Sequence, residues 1–413
     1  MTHVSSSRSG VIRFGLATFL VLLLLAANTT AIYLLFTSGQ QYAVWDFHPL
    51  WLATRALLLQ GQNPYSQQVT REIQLQMYGR LARPDEVQYA FAYPMYLIYL
   101  KLPVAFLPLD WAQAAWFSIL EFAVVFVVLL LKETYDWGIS PWLLALTIVW
   151  AFAFYPVTWG ILLGQTAILV TLFLALALWA LKTERDYLAG FFLAFSTVKP
   201  QMAFLLIAAI LLWMAKQRQW RLVTGFLVSM AFLIGSCMLL VPTWPLDFWR
   251  TLGAYVGYTI YDPPVRMLAN ACCGPALGGL LSMAVTLLVS GYLFWSWWHC
   301  RGRGNALFWA VGLTISVTSL VAPRTTIINQ TAMVLPLCFL FRFLHKRPGW
   351  GAVVLAEFLV AAGLWLVNVV MVAVFAPTAD GSLYYYEHLV MAPVLPIALT
   401  VLLWLLRRPL TGA

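Results

Sequence analysis

The sequence predicts an all-α polytopic membrane protein, a bundle of about twelve transmembrane segments with a long first extracytoplasmic loop. Three observations predict it. Of 413 residues, 62% are hydrophobic and only 9% are charged, whereas soluble domains run at about 45–50% apolar and about 25% charged. Gly and Pro number 25 and 21 without any period, and there are five Cys, which excludes collagen-like and disulfide-scaffold chains. Apolar stretches long enough to cross about 30 Å of hydrocarbon recur along the whole chain. The net charge of +9 is therefore a topology signal, and no nucleic-acid partner is expected.

The first span is expected at 14–36. Arg8 and Arg13 precede it as they would a signal peptide, but the apolar run continues to Phe36 and no soluble domain follows; both features favour an uncleaved span. The polar stretch 37–110 follows as the first extracytoplasmic loop. Within it, 93–107 is apolar but only about 15 residues, with Pro94, Pro103 and Pro108, and fits an interfacial or re-entrant helix. Core spans over 111–241 are placed at 111–131, 141–159, 162–181 and 222–241. Between them, 187–215 is interrupted at Lys199-Pro200. As one helix this stretch would be about 43 Å long and would flip every later segment.

Basic residues select a hairpin turning at 199–200 instead. With the N-terminus inside, the short cytoplasmic segments then carry Arg8, Arg13, Lys132, Lys182, Arg185, Lys216, Arg218, Arg221, Arg301, Arg303, Arg342, Lys346, Arg347, Arg407 and Arg408, fifteen of the 24 Lys and Arg. This asymmetry also makes both termini cytoplasmic. The hairpin is too short for two full spans, so its turn should line a cavity, where non-helical backbone is tolerated. A second extracytoplasmic loop, 242–277, precedes the C-terminal spans of 278–406, placed at 278–298, 306–321, 326–344, 352–375 and 387–406. The chain 1–413 is thus a single integral membrane domain of the cell membrane.

Several functions are excluded. The cytoplasmic loops are too short for a nucleotide-binding domain, and neither G-x-x-x-x-G-K-[ST] nor G-x-G-x-x-G occurs, which removes ATP-driven pumps and enzymes with their own nucleotide-sugar domain. With no C-x-x-C, no H-E-x-x-H and no His cluster, neither a metal nor another cofactor is expected. Asn28-Thr29-Thr30 and Asn329-Gln330-Thr331 match the glycosylation triplet but fall in or against the membrane. Any chemistry should face outward, where the polar loops are.

The ordered polar positions there begin with Asp46, in Trp45-Asp46-Phe47-His48. Gly61-Gln62-Asn63-Pro64-Tyr65, Tyr93-Pro94, Gly164-Gln165 and Ala189-Gly190 before Lys199-Pro200 follow. This set resembles glycosyltransferase family 87 of the GT-C superfamily, over roughly residues 14–220. That family's pattern has an Asp after the first span, then G-x-x-P-Y, a Y-P-P helix, a G-Q segment, and A-G ahead of a Lys near Pro. The chain departs from it at Pro94-Met95, at Thr166-Ala167, and at Ala322-Pro323-Arg324-Thr325-Thr326, where no His stands.

The resemblance implies a membrane-embedded inverting transferase. It would move a sugar, with mannose as the expectation, from a polyprenyl-phosphate donor to a hydroxyl of a lipid or glycan acceptor. Asp46 would be the general base, because the attacking hydroxyl must lose a proton while the donor phosphate leaves without one. Fixed cations should face that phosphate, and Lys199, Arg266 and Arg324 are the candidates on the expected outer side. His48, Gln165, Tyr93 and Asn329 are candidate substrate contacts; Glu121 and Glu357, within spans, should face polar partners inside the bundle. A transporter or flippase of a lipid-linked sugar is the alternative. It would need a basic cavity but no base, and internal repeats of the kind transporters show are absent. Membrane lipids are partners in either case.

Overall fold

The structure is a computed structural model that describes residues 3–38, 46–84, 86–257, 259, 262–375, 385 and 387–411. Among these residues every regular element is a helix. The long helix α1 (His3–Ser38) lies at the periphery along α5 (Leu109–Thr134). Its apolar window, Thr18–Leu35, has no buried share, as expected of a helix whose free sides meet lipid. Polar and aromatic contacts hold it. Asn28 donates to Glu121 Oε2 at 2.5 Å and to Ser118 Oγ at 3.2 Å, and Tyr33 stacks on Trp111 with ring centroids 3.9 Å apart. Glu121 thus has the polar partner expected of it. Residues 39–45, including Trp45 of the Asp46 segment, lie outside the described residues.

The polar stretch after α1 carries helices of its own: α2 (Phe47–Gln60), α3 (Gln67–Tyr78) and α4 (Ile98–Ala105), the last preceded by a 3₁₀ turn at Met95–Leu97. Local signals set their limits. Gly61 ends α2 in the left-handed region at φ 66°, where glycine carries no Cβ penalty. Ser66 starts α3, its hydroxyl accepting the Val69 N–H. The expected short helix of 93–107 corresponds to Met95–Ala105.

Beyond α5, α6 (Pro141–Ala153) and α7 (Tyr155–Leu162) are bent by 62° across Phe154. Then come α8 (Ala167–Lys182), α9 (Asp186–Ser196), α10 (Pro200–Lys216) and α11 (Trp220–Leu240). The expected second loop is largely helical: it holds α12 (Trp244–Val256) and the start of α13 (Pro264–His299), which kinks at Gly274, φ 76°, before Pro275. α14 (Asn305–Val321) is buried over every residue from 307 to 320, the mark of a helix apolar all round and set at the centre of a bundle. A 3₁₀ segment (Ile327–Met333) runs into α15 (Val334–Lys346), followed by α16 (Trp350–Phe375) and α17 (Ala392–Leu405). Glu357 of α16 accepts from Thr147 of α6 at 2.7 Å.

Seven helices among the described residues are long and apolar enough to cross a membrane, or eight if the bent α6–α7 pair counts as one span. The expected total near twelve requires α8, α9, α10 and α14, of 16, 11, 17 and 17 residues, to cross as well.

The α9–α10 hairpin is fixed by close packing. A Cβ on Gly190 would lie 2.4 Å from the Leu222 carbonyl oxygen, and one on Gly225 would lie 2.6 Å from that of Tyr187. Only hydrogen at both positions lets α9 and α11 approach this closely. At the opposite end from the turn, Arg303 pairs with Asp186 at 2.6 Å. These contacts anchor the half of α9 away from the turn that carries Lys199.

Candidate active site

Asp46 occupies the N-cap position of α2 yet makes no side-chain cap bond. An Asp there ordinarily accepts a backbone N–H and stabilises its helix by about 1 kcal/mol. Here its Oδ2 accepts from Gln165 Nε2 at 2.5 Å instead. Gln165 follows Gly164, which sits at φ 66° in the tight link between α7 and α8. The positive φ turns the chain sharply enough to present the amide to Asp46. Trp116 Nε1 secures that link by donating to the Gly164 carbonyl at 2.8 Å.

The other end of the same amide meets the hairpin turn. Lys199 Nζ donates to Gln165 Oε1 at 2.7 Å and to Asn329 Oδ1 at 2.9 Å. All three side chains are more than nine-tenths buried. Pro200 opens α10 directly after Lys199, so the turn is sharp and the positive end of the α10 dipole lies beside it. Asn329, in the 3₁₀ segment, donates in turn to the Arg324 carbonyl at 3.3 Å. Arg324 is itself held at φ 58°, a conformation that costs a branched or long side chain about 1 kcal/mol or more. Its guanidinium donates to Tyr255 OH at 2.5 Å and lies 4.5 Å over that ring.

Arg324 and Tyr255 form part of the wall of a cavity of about 260 Å³, together with Tyr93, Pro94, Pro200 and Phe248. The wall is mostly apolar with one basic corner. Asp46, Gln165, Lys199 and Asn329 are not part of the wall but connect to it, Asn329 through its bond to the Arg324 carbonyl and Lys199 through the adjoining Pro200. Burial raises the Asp46 pKa above the carboxylate range; the Gln165 hydrogen bond and the charges of Lys199, Arg324 and Lys101 act against that rise. One carboxylate faced by three cations is an arrangement suited to a proton acceptor beside a bound anion.

The structure thus brings together Asp46, Gln165, Lys199, Asn329, Arg324 and Tyr93. Two other positions lie apart. His48 Nε2 pairs with Gln76 Oε1 of α3 at 2.9 Å, and burial lowers its pKa. Arg266, in the first turn of α13, is about half exposed and lies 3.4 Å from Asp262, just before that helix, an ordinary surface ion pair. The G-x-x-P-Y stretch proves to be a brace: Asn63 donates to Asp247 of α12 at 2.9 Å, and Tyr65 OH donates to the Tyr93 carbonyl at 2.7 Å. Tyr255 and Lys101 were not apparent as site residues in the sequence. Tyr255 lies in no motif, and only the rarity of a lysine inside a short apolar helix marks Lys101. Among the described residues no three His, Cys, Asp or Glu side chains gather as a metal site would require.

The described residues form a helical, multi-pass membrane protein in which a carboxylate, a basic cluster and an apolar groove lie together. The sequence model of glycosyltransferase family 87 matches residues 91–323, more than half of the chain. The chain belongs to that family, and it is a membrane glycosyltransferase. Gln165 and Lys199 fall within the matched segment; Arg324 and Asn329 lie just beyond it, and Asp46 lies before it. Neither a curated protein nor a solved structure matches the chain.

Proposed function

We propose that this glycosyltransferase is inverting and takes its sugar from a polyprenyl-phosphate donor, with mannose the first choice, for transfer to a hydroxyl on an extracytoplasmic glycolipid or polysaccharide. The observation that carries the reading is the chain of contacts from Asp46 through Gln165 to Lys199 and on through Asn329 to Arg324. It fixes a potential base and two cations in one rigid unit beside an apolar groove. The donor's first isoprene units would lie in the groove walled by Pro94, Phe248 and Tyr255. Its phosphate would meet Arg324, with Lys199 and the α10 N-terminus adding positive potential from behind.

As the sugar–phosphate bond breaks, negative charge grows on the leaving phosphate, and preorganised cations stabilise it without reorganising. The acceptor hydroxyl would attack the anomeric carbon from the opposite face and pass its proton to Asp46. A single carboxylate suffices because the phosphate leaves unprotonated, unlike the paired carboxyl groups of hydrolases acting on glycosidic bonds. In this reading the twelve-segment topology puts both termini in the cytoplasm and the cluster on the outer side. The experiment is incubation of the purified protein with a panel of polyprenyl-phosphate sugars, scoring donor hydrolysis or transfer. Turnover of one donor with inverted configuration is expected. Transport of labelled lipid without any turnover would replace this reading with that of a flippase.

A further inference from the structure

Lys101 is a charged side chain in an unexpected setting. It lies on α4, fully buried, and its Nζ has no hydrogen-bond partner. Lysines at a membrane surface ordinarily extend their heads to water, and the adjacent Leu102 is itself exposed on the same helix. Instead the ammonium lies 3.4 Å from the ring centroid of Trp116 and 4.6 Å from that of Phe47. Both rings belong to the site. Phe47 follows Asp46 in the chain, and Trp116 is the residue bonded to the Gly164 carbonyl, one residue before Gln165.

We propose that Lys101 is a positioning residue for glycosyl transfer: a cation caged by Phe47 and Trp116 whose field holds Asp46 ionised and ready to accept the acceptor's proton. The inference rests on the reading of Asp46 as base. Its physical basis is burial: an ammonium held only by ring faces and cut off from water in a low-dielectric pocket interacts with a carboxylate more strongly than one at the surface. The surrounding charges support the pairing. On α2, Arg55 is bound to the Ala105 and Leu107 carbonyls and His48 to Gln76; on α5, Asp110 lies in the first turn. Lys199 and Arg324 act on Asp46 in the same direction as Lys101 and more strongly, and Asp46 is the carboxylate whose charge bears on Lys101. Burial drives the Lys101 pKa well down while Asp46 opposes that fall, so each ion favours the charged form of the other.

The test uses the full chain in lipid nanodiscs and the variants Lys101→Met and Lys101→Gln. Two quantities are read against pH: the carboxylic-acid carbonyl band in infrared difference spectra that vanishes in Asp46→Asn, and the rate of transfer. In both variants the midpoint of the band should move up, and by less than in Lys199→Met, because Lys199 acts on Asp46 more strongly than Lys101 does. The acid limb of the rate profile should follow it. Thermal unfolding of Lys101→Met should occur at or above the wild-type temperature, because an apolar chain of similar length replaces a buried, unbonded ion. A midpoint identical in wild type and both variants overturns the proposal. A band that moves while the rate keeps its acid limb retains the action of Lys101 on Asp46 and removes Asp46 as base, so the two failures are distinguishable.

Discussion

Replacing Asp46 by Asn separates the chemistry of the site from its architecture. The Asn side-chain oxygen can still accept from Gln165 Nε2, the contact that Asp46 makes at 2.5 Å, so the links from Gln165 to Lys199 and Asn329 should persist. What disappears is the capacity to take a proton. General-base catalysis contributes about 10²–10⁴-fold, and the rate of transfer should fall by that factor while donor affinity changes little. Stability should move the other way. The folded pKa of Asp46 lies above its ordinary value of 3.8, with burial the largest cause. Below pH 3.8 the group is protonated in both folded and unfolded chains and costs nothing. As pH rises through the raised folded pKa, ionisation destabilises the fold by about 1.4 kcal/mol for each unit of elevation. Asp46→Asn should therefore unfold at an equal or higher temperature at neutral pH, with the difference closing in acid. The assays are transfer from the active donor and thermal unfolding in detergent across pH. Transfer at the native rate by the purified variant would refute the base assignment, and a lower unfolding temperature at neutral pH would refute the electrostatic account.

Lys199→Met strands two buried acceptors, Gln165 Oε1 and Asn329 Oδ1, and should cost about 1–3 kcal/mol for each group left unsatisfied, read by thermal unfolding, together with a large loss of transfer. Asn329→Ala should do less on both counts, and the double variant should fall short of the sum because the residues share one network. Arg324→Gln should weaken donor binding by about 10- to 100-fold, the worth of a charge-assisted hydrogen bond. Arg266→Gln should leave it within twofold by the same binding assay, since its guanidinium faces Asp262 rather than the cavity. Gly190→Val should destabilise the fold by about 1–3 kcal/mol or more through overpacking and lower activity per folded molecule, because a Cβ there meets the backbone of α11 and displaces the hairpin; unchanged activity would show that the Lys199 turn is set by something else.

The helical, membrane-embedded character of the chain follows from composition alone, because a chain with so few charges can satisfy its backbone only within helices in lipid. The break at Lys199-Pro200 was equally legible. A proline that opens a helix after a lysine inside an apolar run leaves little choice but a turn, and the structure places α9 and α10 on either side of it. Asp46, Gln165 and Lys199 could be picked out as polar residues in ordered positions near the expected outer surface. Their mutual contacts could not, since they are 119 and 34 residues apart along the chain and local patterning carries no information at that range.

Only tertiary packing decided the rest. It turned Arg266 toward nearby Asp262 and His48 toward Gln76 on the next helix, partners that a linear reading cannot rank against a phosphate site. It brought Tyr255 from α12 under Arg324, and it converted Asn63 and Tyr65 from motif letters into struts on Asp247 and Tyr93. It buried the head of Lys101, on a short helix expected at the membrane interface, against Phe47 and Trp116. A sequence specifies which residues prefer lipid, turns or water; which cation faces which carboxylate depends on helices crossing at distances that single hydrogens at Gly190 and Gly225 permit.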